Sequence, residues 1–210
     1  MPFIDPNFLS EETQPVSRLL ITSADDSDVI NTSLELAKIL AQQGNSVLWV
    51  DGNLGEYSLN NNFKNPELER VLLGQVPLTE AIQKIGNISV LTGTAHPFLA
   101  ELSDMNQYRF LQDLRKVYPN FDKVVLSVDG KNPVLQKKWM NEAESTYLLF
   151  NTKNLLLNRT LAWLKENNQR TNGLLGIGKN EQEVLLAYMR LKEVLGKVPE
   201  LILDIKKIAP

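Results

Sequence analysis

Residues 18–55 read RLLITSADDSDVINTSLELAKILAQQGNSVLWVDGNLG, and their order of apolar and polar residues decides the fold. Arg18 to Ser23 is a short apolar run of strand character, and Ser46 to Val50 (SVLWV) is a second. Between them, residues 31–43 carry the pattern of a helix, with Leu36, Ala37, Leu40 and Ala41 on one face and Gly44 as the stop. Strand, helix, strand over so few residues indicates a crossover unit of a parallel sheet.

The same rhythm continues downstream. Strands are expected at Ile88 to Thr92, Lys123 to Val128, Ser145 to Phe150 and Asn172 to Ile177. Helices are expected at about 66–74, 78–84, 104–117, 132–142, 155–167 and 180–195. Asn65-Pro66-Glu67 supplies a cap, a pre-set φ and an acidic first turn, and Gly74 ends that helix. Ser103 can cap the helix whose Met105, Tyr108, Leu111 and Leu114 recur at helical spacing. The fold class is therefore α/β, a doubly wound, mostly parallel sheet with helices on both faces. Residues 1–16, with three prolines, read as an irregular arm ahead of one domain over 17–210.

Composition bounds the function. At 210 residues with 43% hydrophobic content, the chain can bury one sizeable core. Its 22 Lys and Arg against 25 Asp and Glu give a net charge of −3 with no basic run, which argues against nucleic acid as a partner. The chain has no cysteine, so disulfides and thiolate sites are excluded and a cytoplasmic location is expected. No apolar run approaches the ~18 residues of a spanning helix.

The quoted stretch resembles the opening of the MinD/ParA family of P-loop ATPases. In that family a strand ending in Ser leads through a phosphate loop into a helix of N-L-A-x-x-L-A type and then to V-L-L-x-D-x-D-x-G. Leu36, Ala37, Leu40 and Ala41 match the helix, and VLWVDGNLG matches the second strand and its loop. PLTEAIQKIGNISVLTGTA (77–95) and FLAELSDMNQYRFLQDLRKVYPNFDKVVLSV (98–128) resemble the segments leading to the family's metal-linked aspartate. NEQEVLLAYMRLKEV (180–194) resembles a helix of the MinD-like flagellar-number regulators. ITSA at 21–24 is also similar to the opening of the tyrosine kinase domains of polysaccharide export, although no tyrosine lies beyond Tyr188.

The resemblance implies a nucleotide site, and the residues at its positions differ from the family pattern. A phosphate loop needs glycines that let backbone N–H groups curl around phosphates, and a lysine that supplies a point charge. Between Ser23 and the end of the loop stand Ala24, Asp25, Asp26, Ser27, Asp28, Val29, Ile30, Asn31 and Thr32, with neither residue type. The family's lysine falls on Val29 or Ile30. The first aspartate of D-x-D is Asp51, the second is Asn53, and the metal-linked aspartate falls on Ser127. Asp129, two residues on, is a candidate substitute, since strand residues two apart share a face.

These departures lead to the expectation of a pseudo-ATPase that is not an enzyme and holds no cofactor and no metal. It would act as a protein-interaction scaffold in a bacterial surface, polar or envelope assembly, as a monomer or constitutive homodimer. An accessory role in polysaccharide export and an atypical ATP-binding enzyme are the alternatives. Asp25, Asp26 and Asp28 are candidate docking carboxylates, and they equally suit the N-terminus of a helix, where they stabilise its dipole. His96 has no triad partner at a recognisable spacing and reads as a loop residue. Trp49, Trp139 and Trp163 read as core or semi-core. The tail VPELILDIKKIAP is expected to form a short amphipathic helix or final strand that packs on the domain, with no stable membrane insertion.

Overall fold

The computed structural model describes residues 16–25, 28–53, 66–92, 104–131 and 133–208. Eight strands form one sheet: β1 (Ser17–Ser23), β2 (Val47–Asp51), β3 (Gln83–Ile85), β4 (Ile88–Leu91), β5 (Lys123–Val128), β6 (Ser145–Asn151), β7 (Gly173–Ile177) and β8 (Glu200–Ile202). Their spatial order is β3-β4-β2-β5-β1-β6-β7-β8. Every neighbouring pair is parallel except β3 with β4. Among the described residues the α-helices are α1 (Val29–Gln42), α2 (Pro66–Leu72), α3 (Asp104–Val117), α4 (Pro133–Glu142), α5 (Asn154–Asn167) and α6 (Glu181–Leu195).

The two-residue period of a strand sorts the apolar side chains onto opposite faces. Leu19, Ile21, Val47, Trp49 and Val125 lie buried with Leu36, Ala37 and Leu40 of α1. Leu20, Leu48, Val50 and Leu126 point the other way and pack with Leu68 of α2, Leu114 of α3 and Trp139 of α4. Farther along the sheet, Leu148, Phe150 and Leu174 pack with Leu157 and Leu164 of α5 and Val184 and Leu191 of α6. The central strands are buried on both faces, which is why they read as continuous apolar runs.

Two expectations are corrected here. The helix expected at 78–84 is a single 3-10 turn, Leu78–Ala81, followed by the edge strand β3. Gly86, at φ 61°, turns β3 back antiparallel onto β4 as a hairpin. Helix α1 opens at Val29, ahead of the expected residue 31, because Asp28 caps it. Of the helix or final strand expected of the tail, the strand forms: β8 pairs parallel with β7, and the 3-10 turn Ile205–Ile208 that follows places Ile208 in the α1 core. No helix among the described residues is long and apolar enough to cross a membrane.

Strands β1 and β5 are neighbours, and the crossover after β1 runs to β2 on one side while the crossover after β5 runs past β1 to β6 on the other. The crevice of such a sheet lies beyond the carboxyl ends of the strands at this switch. That places the loops after β1, β2 and β5 beside one another.

Candidate functional site at the carboxyl ends of β1, β2 and β5

The chain leaving β1 is fastened to the loop after β5. Ser23 Oγ donates to the Asp25 carbonyl at 2.6 Å, and Gly130 N–H donates to the same oxygen at 3.0 Å. A Cβ on Gly130 would stand 2.6 Å from the Ala24 carbonyl carbon and 2.7 Å from Ser23 O, so only glycine allows this approach. Asp25 is buried, with 3% of its surface exposed. A docking carboxylate has to reach solvent, so of the three aspartates only Asp28 is exposed among the described residues.

A buried side chain of α4 completes the junction. Gln136 donates from Nε2 to Thr22 Oγ1 at 2.6 Å and to Ser23 O at 2.8 Å. Its Oε1 accepts from Trp163 Nε1 of α5 at 2.9 Å. Thr22 Oγ1 in turn donates to Val128 O at 2.8 Å, linking β1 to β5. One amide thus joins β1, α4 and α5, with donors and acceptor all used.

The first turn of α1 is capped in part from within. Asp28 Oδ1 accepts from Asn31 N–H at 3.3 Å, and its Oδ2 accepts from Asn31 Nδ2 at 2.7 Å. Thr32 Oγ1 donates to Asp28 O at 2.9 Å. A helix N-terminus offers unpaired N–H groups to an anion, and here a carboxylate of the chain takes part of that role. Val29, one of the two positions onto which the lysine falls, is buried as core at 1% exposure, and Ile30 packs partly against the same cluster.

The loops after β2 and β5 are stitched together beside this junction. Asp51 and Ser127 are register partners, both fully buried. Gly52 N–H donates to Ser127 O at 2.6 Å, while Ser127 Oγ donates to Val50 O at 3.3 Å. Asn53 N–H donates to Asp51 Oδ1 at 3.1 Å, and Asn53 Oδ1 accepts from Asp129 N–H at 3.0 Å. Asp129 lies just past the end of β5, and its Oδ1 accepts from Lys131 N–H at 3.0 Å. Trp139 Nε1 donates to Gly52 O at 2.9 Å, which fixes the turn from below.

The residues singled out from the sequence therefore converge: Asp51 and Ser127 stand at the carboxyl ends of β2 and β5, Asp25, Asn53 and Asp129 lie just past β1, β2 and β5, and Asp28 to Thr32 open α1 beside them. Asp26, Ser27 and His96 fall outside the described residues. Among the described residues, no group of three or more His, Asp or Glu side chains is placed to hold a metal ion. Sequence reasoning missed Gln136, since a lone glutamine in QKKWMNEA carries no signal until β1 is brought against α4. Trp49 and Trp139 are fully buried and Trp163 is half-buried, as core and semi-core residues.

No protein-family model matches the chain, and no curated protein matches it. Solved structures do resemble it. The cell division ATPase MinD of Pyrococcus furiosus superposes with a TM-score of 0.66 at 19% identity, over 89% of this chain and 83% of that one. A ParA family ATPase from Chlorobium tepidum TLS gives 0.66 at 12% identity, over 90% and 85%. The septum site-determining protein MinD from Pyrococcus horikoshii OT3, solved with Mg-ADP, gives 0.65 at 19% identity, over 89% and 81%.

These neighbours correct the expectation that the chain is not an enzyme. That expectation came from the loop residues alone, whereas the structures sharing the fold are ATPases. The missing lysine and glycines are a difference in site chemistry and not a reason to place the chain outside an enzyme fold. Sheet order, crossovers and neighbours agree that the chain has the MinD/ParA-type P-loop NTPase fold.

Proposed function

We propose that the chain is a regulatory protein of this fold, working by docking protein partners in a bacterial surface, polar or envelope assembly. The observation that carries the reading is the junction of β1 with α1. Asp28 caps the Asn31 N–H at the start of the helix, and Ser23, Gly130 and Gln136 hold the chain that leaves β1. A segment held by its own hydrogen bonds presents a fixed surface, and a fixed surface lowers the ordering cost of association.

Affinity capture from the native host tests it, using the full chain with a photo-crosslinking residue on its surface. The expected result is one defined partner, recovered in the same yield with and without Mg-ATP. Recovery of no protein above the untagged control would contradict the reading.

The Mg-ADP held by the Pyrococcus horikoshii neighbour favours a second reading, an ATP-binding enzyme that contacts nucleotide without a loop lysine. Calorimetry with Mg-ADP separates the two. Saturable binding together with a change in partner yield on adding nucleotide supports the second reading.

A further inference from the structure

The β1 junction opens outward onto a cleft of about 770 Å³ between α4 and α5. Ala24, Gly130, Met140 and the indole of Trp163 line it. Three cations, Lys137, Arg159 and Arg170, face it against one carboxylate, Glu166. Three less one leaves a local excess of two positive charges in a chain whose net charge is −3.

Lys137 and Arg159 are exposed and form no ion pair among the described residues. Arg170 donates to Asn141 Oδ1 at 3.0 Å, which holds its guanidinium in place. The floor is held too, because Trp163 donates to Gln136 and Gln136 is anchored on Thr22 and Ser23. A groove between two helices that sets a few apolar side chains among uncompensated cations suits a helix that carries carboxylates beside a narrow apolar face. A nucleic acid would require a longer basic stripe and no carboxylate in the groove.

We propose that this cleft docks an acidic, amphipathic helical segment of a protein partner, with apolar side chains against Trp163 and Met140 and carboxylates against Lys137 and Arg159. This rests on the partner-docking reading above and names the surface and the partner's chemistry.

Tryptophan emission gives a local readout, since Trp49 and Trp139 are fully buried and Trp163 alone is accessible. The probe is a tryptophan-free helical peptide of glutamate, alanine and leucine with its leucines along one face, and its counterpart has lysine for glutamate. The glutamate peptide is expected to shift Trp163 emission saturably, and more weakly as salt rises. The double variant Lys137→Glu, Arg159→Glu, which alters only exposed side chains, should bind it roughly tenfold more weakly or worse with an unchanged circular dichroism spectrum. Equal binding of the lysine peptide, no emission change, or indifference to the charge reversal would overturn the proposal.

The charge-reversed variant also separates this proposal from the reading beneath it. If it still captures the native partner, partner docking stands and the cleft is not the docking surface. If the wild-type chain captures no partner yet binds the glutamate peptide, the functional reading fails and the cleft chemistry holds.

Discussion

The Nε2 of Gln136 lies 2.6 Å from Thr22 Oγ1, so one buried amide of α4 ties the end of β1 to the layer of helices above it. Replacing it with leucine leaves Ser23 O and Trp163 Nε1 without their partner. Gln136→Leu should lower stability by about 1–3 kcal/mol, the cost of a buried polar group left unmade. Urea denaturation measures it, and the emission of Trp163 should change in the folded variant.

Gly130→Ala forces a Cβ to within 2.6 Å of the backbone after β1. Backbone cannot step aside as a flexible side chain would, so the loop after β5 must move away from Asp25. The expected cost is about 1–3 kcal/mol of stability. Hydrogen exchange should show faster opening at Gly130 than in the wild-type chain.

Asp28→Ala removes the side-chain acceptor for Asn31 N–H and should cost about 1 kcal/mol. Asp28→Asn keeps an acceptor oxygen and should cost less. If thermal melting finds the two variants equally stable with the wild type, Asp28 is not the cap of α1.

Asp122 supplies a pH test away from the site. Its Oδ2 accepts from Ser46 Oγ and Ser46 N–H, both at 2.7 Å, and these bonds hold the carboxyl below its usual range. A carboxyl with a depressed folded pKa stabilises the protein fully above its unfolded value, about 3.9. That contribution is lost as pH falls through the lower folded value. Asp122→Asn should therefore melt below the wild type at pH 7, with the gap closing under strongly acidic conditions. A gap that stays constant with pH would contradict the assignment.

The central architecture was legible because its strands are buried on both faces. Apolar runs such as KVVLSV at β5 have no other stable use in a chain of this length. The edges were less legible: β3 has only three residues with one side exposed, and its signal was the Gly-Asn pair at 86–87, not its own pattern. At the site, the loss of lysine and glycine was read directly from residues 24–32, while the tie that holds the junction was not. Gln136 lies 114 residues from Thr22, and a contact of that span follows from topology, which a local pattern does not encode. The burial of Asp25 is likewise invisible in a local pattern.

On either side of the phosphate-loop position, Asp25 is tied to Gly130 and Asp28 caps α1 by the chain's own hydrogen bonds. Titration of Mg-ADP into the ¹⁵N-labelled protein, followed residue by residue, tests this most directly. The prediction is that the amide resonances of Asn31, Thr32 and Gly130 stay in place throughout the titration. Saturable shifts of these amides would mean that these bonds give way to hold phosphate, the opposite result.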